Sequence, residues 1–153
     1  MARSCCIVAI AFAGGACLVI AGCGSGAAAP SDADQQTAIA LKLAGIAYGD
    51  FLAAHRGAPP KDAAEFRTFL EARLADLQAN GVKSADDLLI SPRDGQPFVV
   101  VTGKRLAPPD QLDAPWALYE AAGVDGKRMI ASARGIVVEL TPHEFAQQAP
   151  GAS

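Results

Sequence analysis

The distribution of charge divides this chain into two unequal parts. Residues 4–29 contain no charged side chain, whereas residues 32–148 contain every charged residue except Arg3. The hydrophobic fraction of 51% is therefore unevenly spread along the 153 residues. Only the charged part has the composition of a water-soluble body, and its length suits a single domain.

The N-terminus has the order of a secretory signal peptide. Met1-Ala2-Arg3 is a short positive segment, and an uncharged, mainly apolar run over residues 5–20 follows it. A transmembrane anchor is the competing interpretation, because this run is nearly long enough to cross a bilayer. The residues that end the run favour the signal peptide.

The run ends in Ile20-Ala21-Gly22-Cys23, which resembles the bacterial lipobox. The resemblance implies that the Cys23 sulfur receives a diacylglycerol, that cleavage removes residues 1–22, and that the new amino group is acylated. Several acyl chains, at about 0.8 kcal/mol per buried methylene, give stable anchoring. A plain signal peptide cut beside a cysteine is the alternative. We expect a lipoprotein attached to the membrane through Cys23.

Cysteine usage fits that expectation. The chain has four cysteines, all in or directly after the apolar run: Cys5, Cys6, Cys17 and Cys23. Cleavage before Cys23 would leave one cysteine, itself acylated. The mature domain is therefore predicted to have no disulfide, no cysteine-based metal site and no thiol nucleophile.

Residues 23–34 are small, polar and unpatterned, which predicts a flexible tether between the anchor and the folded body. The predicted location is the cell envelope, on a membrane surface that faces the periplasm or the outside. No Asp follows Cys23, because Gly24 occupies that position. In enteric bacteria this absence favours the outer membrane.

Two helices are predicted to open the body, a single α+β domain over residues 35–148. The first covers residues 35–55, with an apolar stripe at helical spacing: Ile39, Leu43, Ile46 and Ala47. An adjacent apolar stripe continues it with Tyr48, Phe51, Leu52 and His55. Gly45 and Gly49, one turn apart, indicate that another element crosses closely. The second begins at a capping-box pattern of Asp62 and Glu65 and ends at residues 80–81. On its polar side, Arg67 and Glu71 are spaced to form an ion pair.

The pattern then changes to short β-branched and aromatic runs separated by turns, at residues 98–102, 116–120, 128–132 and 136–140. Hairpin spacing predicts an antiparallel meander. Thr141, Pro142 and Glu144 have the pattern of a capped start to a short last helix. We expect an α+β fold, with N-terminal helices packed on a small antiparallel sheet of three to four strands.

Catalytic and metal-binding motifs are absent from the sequence of the mature domain. Its two histidines, His55 and His143, lie far apart, and no phosphate-binding loop or nucleophile elbow occurs. A net charge of −3 without a Lys/Arg run argues against nucleic acid as a partner. Trp116 and Tyr119 are interpreted as packing residues. The sequence predicts no enzyme and no cofactor.

Four aspartates keep a second interpretation open. Asp86 and Asp87 could form a cation or acid–base site, and so could Asp94 and Asp125. The structural alternative is that Ser84-x-x-Asp87 starts a helical turn and that the two Asp-Gly pairs form turns. An envelope enzyme or small-ligand-binding lipoprotein that uses these carboxylates is the alternative function.

Two segments resemble small lipoproteins and pilin-like proteins of planctomycete bacteria. One covers residues 41–51 and continues to His55, Gly57 and Pro59-Pro60; the other runs from Trp116-Ala-Leu-Tyr-Glu120 to the closing Leu140-Thr-Pro-His-Glu-Phe145. The resemblance implies a pilin-like body and transfers no catalytic residue. A prepilin leader is missing, and Ala133-Arg134-Gly135 replaces the usual Ala-Asp-Gly, which speaks against assembly into a filament.

Together these observations predict a non-enzymatic lipoprotein that serves as a binding or structural component, with a protein of the envelope as its partner. Function must be argued from a site, and the sequence presents no catalytic one. Loop 103–115 is long and rich in proline, which makes it the expected binding surface.

Overall fold

The computed structural model describes residues 29–104, residue 106 and residues 114–149. The predicted signal peptide, Cys23, most of the tether and the central part of loop 103–115 lie outside these residues. The fold is α+β. Its elements, in chain order, are α1 (Asp32–Ala54), α2 (Ala63–Ala72), α3 (Leu74–Gln78), α4 (Asp86–Leu89), β1 (Phe98–Val100), β2 (Trp116–Glu120), β3 (Arg128–Ser132), β4 (Val137–Leu140) and α5 (Pro142–Gln148).

The four strands form an antiparallel meander in the order β1-β2-β3-β4. Tyr119 pairs with Ile130 in the centre, and a bulge follows Trp116 in β2. The β2–β3 turn places Asp125 and Gly126 at φ values of 51° and 76°, the left-handed region that Asp-Gly turns favour. The bounds predicted for β2 and β3 are confirmed, and so is the meander.

Helices α1 and α5 cover opposite faces of the sheet. Gly45 of α1 lies close to Ala131, whereas the Phe145 ring of α5 packs against Tyr119, the partner of Ile130. Neighbouring residues of a strand point to opposite faces. The main core therefore lies between the sheet and the helices α1, α2 and α4, and it includes the aromatic side chains Tyr48, Phe51 and Phe66.

Helix α1 begins at Asp32 rather than at residue 35. The Ser31 hydroxyl accepts the Asp34 N–H (3.1 Å), and the Asp34 carboxylate accepts the Ser31 N–H (2.9 Å), which completes a capping box. Among the described residues, α1 alone is long and apolar enough to cross a membrane by length and composition. Half of that apolar window is buried inside the fold, as expected for a core helix.

The apolar surface predicted for α1 is wrong at Ile39 and Ile46 and confirmed at Ala47 and in most of the adjacent stripe. Ile39 and Ile46 are 58% and 42% exposed, and Leu43 is half-buried. The buried face includes the predicted Ala47, Tyr48, Phe51 and Leu52. Its other members are Thr37, Ala40, Leu41, Ala44 and Gly45. Many of these side chains are small, because the backbone passes close to the sheet.

The close crossing predicted from the two glycines of α1 is confirmed. A Cβ atom on Gly45 would overlap the Ser132 carbonyl, and one on Gly49 would overlap the Ala133 carbonyl. The end of β3 therefore crosses α1 at backbone distance. A larger residue at either position would push the two elements apart.

The second predicted helix is divided at Arg73 into α2 and α3. Asp62 caps α2 by accepting the Glu65 N–H (2.8 Å), and the expected Arg67–Glu71 ion pair is present at 3.8 Å. At the C-terminus, Thr141 and Glu144 form the predicted capping box of α5. The predicted starts of α2 and α5 are therefore confirmed.

Candidate functional site

The four aspartates singled out in the sequence do not line a common cavity. Asp86 and Asp87 line a groove between α1 and α4, whereas Asp125 lines a separate cavity beside Arg93. The Asp94 carboxylate lies in the turn before β1, where it accepts the N–H groups of Gln96 (3.0 Å) and Gly123 (3.1 Å). The four carboxylates therefore do not form one shared acid–base site.

Asp86 and Asp87 are engaged by their own surroundings. Asp87 accepts the Lys83 N–H (2.7 Å) and the Ser84 N–H (3.2 Å), and the Lys83 bond is the main reason that the pKa of Asp87 lies below its ordinary value. Asp86 forms an ion pair with Arg67. Within residues 29–104 and 114–149, no group of three or more His, Cys, Asp or Glu side chains is arranged to hold a metal ion.

The two histidines lie at helix ends, as the sequence indicated. His55 ends α1, with its Nδ1 atom 2.9 Å from the Phe51 carbonyl oxygen and its ring stacked on the Phe51 ring at 3.9 Å. His143 is exposed in the first turn of α5. The His55 geometry is that of a helix C-cap.

Trp116 and Tyr119 are buried in the sheet, which confirms their predicted packing role. Trp116 is fully buried, and its indole N–H has no hydrogen-bond partner. Tyr119 packs edge-on against Phe145, and burial raises the pKa of its phenol. Neither ring is available for stacking a base or a sugar.

The strongest electrostatic feature is an ion pair that sequence reasoning missed. Arg93 and Glu120 form a bidentate pair, with Nε donating to Oε1 and Nη2 donating to Oε2, both at 2.9 Å. Their side chains are 4% and 0% exposed. Such a pair is stable only when every remaining donor and acceptor is also satisfied.

The surroundings satisfy both partners. Arg93 Nη1 donates to Asp34 (3.1 Å) and Glu139 (2.8 Å), and Nη2 donates to the Lys127 carbonyl (3.0 Å). Burial works against the Arg93 charge, but the bonds to Glu139 and Glu120 outweigh it and raise the pKa of Arg93. Glu120 also accepts the Ser91 hydroxyl and the Met129 N–H. We call Asp34, Arg93, Glu120 and Glu139 the Arg93 network.

The Arg93 network has a structural role. All five guanidinium N–H groups have acceptors, so Arg93 has no donor left for an anionic ligand. It joins the start of α1, the turn before β1 and the ends of β2 and β4. The only feature of the sequence that points to this network is the single charged residue of β2, Glu120, at the end of an otherwise apolar strand.

The groove between α1 and α4 has a volume of about 530 Å³. Its walls are mainly apolar and include Ile39, Leu43 and Ile90, with Asp86 and Asp87 as its charged lining residues. A smaller cavity of about 280 Å³ continues along α1 past Leu43 to Ile46 and Leu77. Ile39 and Ile90 are large exposed side chains, as protein-binding grooves often present.

Comparison with protein-family models, with curated proteins and with solved structures gives no match. No residue role can therefore be transferred from a relative. The function rests on the chemistry of the sequence and on the geometry described above.

Proposed function

We propose that this protein is a lipid-anchored lipoprotein of the bacterial cell envelope, facing the periplasm or the outside, with the outer membrane favoured. Its body is a non-enzymatic binding or assembly module, pilin-like in architecture, that contacts a protein partner of the envelope. The Ile20-Ala21-Gly22-Cys23 sequence carries this proposal, because its chemistry requires a thiol at Cys23.

The position of the folded body supports the anchoring. A capped helix begins directly after Ser31, so that only a short segment of small and polar residues separates Cys23 from the domain. Such a segment lets a rigid body stand on a membrane while its acyl chains are inserted. The α+β arrangement, with one long helix on an antiparallel sheet, is compatible with the pilin-like resemblance.

The hydrogen bonding of the carboxylates supports a binding role over a catalytic one. Asp86, Asp87 and Asp94 are held by an arginine or by backbone N–H groups. The groove between α1 and α4 instead offers exposed isoleucines, which suit an apolar segment of a protein partner.

Acylation is the first part to test. Cells that express the full chain are grown with an alkyne analogue of palmitate, and incorporation is compared with that of Cys23→Ser and Cys17→Ser. We expect the label on the native chain and on Cys17→Ser, no label on Cys23→Ser, and release of that variant from the membrane fraction. Label that survives Cys23→Ser would refute the lipoprotein.

The partner is tested by crosslinking and affinity capture of the tagged, acylated protein from its own membranes. We expect one reproducible envelope protein, which is lost in Cys23→Ser and weakened by Ile90→Glu in the groove. Gln147→Glu, at an exposed position of α5, is the matched control and should capture the partner normally. Equal capture by Ile90→Glu and Gln147→Glu would remove the groove from the proposal.

A further inference from the structure

The chain contains a single asparagine, and a glycine follows it. Asn80 is the only asparagine among the 153 residues, and Gly81 is the next residue. The pair lies in the turn after α3, where the second helix was predicted to end. Asparagine is a chemically labile residue. It is most reactive before a glycine, which has no Cβ to hinder attack by the backbone nitrogen on the side chain.

The reaction of such a pair is an internal attack on the side-chain amide. The Gly81 nitrogen bonds to the Asn80 Cγ atom, the bond from Cγ to Nδ2 breaks, and the Gly81 proton leaves with Nδ2 as ammonia. Water then opens the resulting succinimide ring. Opening at Cγ gives an aspartate, and opening at the main-chain carbonyl gives an isoaspartate. The sum is the hydrolysis of an amide to a carboxylate, which consumes water and no other reactant.

The fold leaves both reacting groups accessible. Asn80 and Gly81 are exposed, and a Cβ atom at Gly81 would meet no other atom within 4 Å. Within the part of the chain that the structure describes, no hydrogen bond holds the Asn80 side-chain amide. The Gly81 N–H donates to the Gln78 carbonyl at 2.9 Å. This bond lies at an exposed helix end, where local opening costs little free energy.

The two Asp-Gly pairs of the body are less suited to the same ring closure. Asp94 accepts two backbone N–H groups, and the Gly95 N–H donates to the Ser91 carbonyl at 2.8 Å. Asp125 lies in an exposed turn. Aspartates are ionised at neutral pH, and a carboxylate resists nucleophilic attack more strongly than an amide does. Asn80 is therefore the most reactive of the three positions.

The product of this reaction changes the groove between α1 and α4. Asn80 and Leu43 line both this groove and the smaller cavity along α1. A new carboxylate at position 80 would join Asp86 and Asp87, the charged lining residues of the groove. An apolar partner that covers a charge must remove its hydration, which costs free energy. The isoaspartate also lengthens the main chain just before the buried Val82.

We propose that Asn80 is a site of spontaneous deamidation, and that its conversion weakens the groove as a surface for a protein partner. The first part depends only on the chemistry and the exposure of Asn80 and Gly81. The second part rests on the proposed function, in which an apolar segment of a partner occupies the groove. Hydrolysis is not reversed in water, so the converted fraction increases with the age of the molecule.

The first test follows the full chain during incubation in mildly alkaline buffer at growth temperature. Isoelectric focusing and peptide mass spectrometry measure the added charge, and enzymatic methylation of its free carboxylate measures the isoaspartate. Asn80→Gln is the matched control, because it keeps the amide on a longer side chain that closes a ring far more slowly. Gly81→Ala is the second variant, because it keeps the asparagine and adds the Cβ that hinders attack.

We expect the native chain to gain a negative charge in the peptide that contains Asn80, with aspartate and isoaspartate both present. Asn80→Gln and Gly81→Ala should each slow this gain by about tenfold or more. The chain in urea gives the rate without the fold, and the folded rate should lie within about tenfold of it. Conversion in urea without conversion of the folded chain would overturn the site, and so would an equal gain of charge in Asn80→Gln.

The second test measures capture of the partner by Asn80→Asp, which has the product carboxylate from the start. We expect this variant to capture about fivefold less partner than the native chain, and Asn80→Gln to capture as much as the native chain. Equal capture by the two variants would overturn the loss of binding and leave the deamidation site in place. Capture of no partner by the native chain would refute the proposed function and with it the loss of binding, whereas the deamidation is measured without any partner.

Discussion

At the scale of single residues, Arg93 is the buried cation that joins α1, the turn before β1 and strands β2 and β4. The free energy of unfolding should fall by about 3–5 kcal/mol in Arg93→Leu, because Glu120 would remain buried without its cation. Urea unfolding of the purified chain measures this change. Arg67→Leu is the control, since Arg67 belongs to exposed ion pairs with Glu71 and Asp86 and should cost less than about 1 kcal/mol.

The double variant Arg93→Leu/Glu120→Leu separates pairing from burial. It removes both charges, so that its loss of stability should be smaller than the sum of the two single losses. Strict additivity of the three values would show that Arg93 and Glu120 act independently, against the bidentate geometry.

At the scale of elements, the crossing of α1 over β3 depends on the absence of side chains at two positions. Gly49→Ala should destabilise the protein by about 1–3 kcal/mol through overpacking against the Ala133 carbonyl, although alanine is the better helix former. Thermal unfolding followed by circular dichroism measures this loss of stability. A Gly49→Ala variant that is more stable than the native chain would contradict the close crossing. Ala53→Gly, on the exposed side of α1, is the control, because it measures the effect of alanine against glycine on helix propensity alone.

Elements that depend on local chemistry could be predicted, whereas those that depend on tertiary packing could not. Short-range sequence patterns predict the capping box of Thr141 and Glu144, the Asp-Gly turns, and the bounds of β2 and β3. The prediction for the N-terminal half of α1 is wrong, because aliphatic size favours Ile39 and Ile46 whereas the close approach of the sheet buries small residues there. Farther along the helix, Tyr48, Phe51 and Leu52 are buried as predicted. The Arg93 network was missed, because its members lie far apart in sequence and Arg93 sits in a turn motif.

At the scale of the whole molecule, acid should weaken the fold through two helix starts at once, those of α1 and α5. The Ser31 hydroxyl lowers the pKa of Asp34, and the Thr141 hydroxyl lowers that of Glu144. The ordinary pKa values are 3.8 and 4.5. In this pH range the unfolded chain binds more protons than the folded one. The contribution of the two carboxylates to the free energy of unfolding is therefore fully present above their ordinary pKa values. It is lost as the pH falls through the lower pKa values of the folded protein.

Urea unfolding at a series of pH values tests this dependence. The free energy of unfolding should be steady above about pH 5 and should decline below about pH 4. Glu144→Gln removes one titrating group and should flatten the decline, while Glu71→Gln, on the exposed side of α2, should leave its shape unchanged. A decline of equal slope in Glu144→Gln would remove the α5 cap from the explanation.

The Arg93 network joins the N-terminal end of α1 to two strands, so we expect it to resist a pull on the chain from that end. A pull on the chain at residue 29 reaches the start of α1, where Asp34 is joined through Arg93 to Glu120 and Glu139 on two strands. We therefore expect the helix and the sheet to share the force, so that α1 does not unwind turn by turn. In the proposed lipoprotein, the chain would be pulled from the end of α1 that this network joins to the sheet.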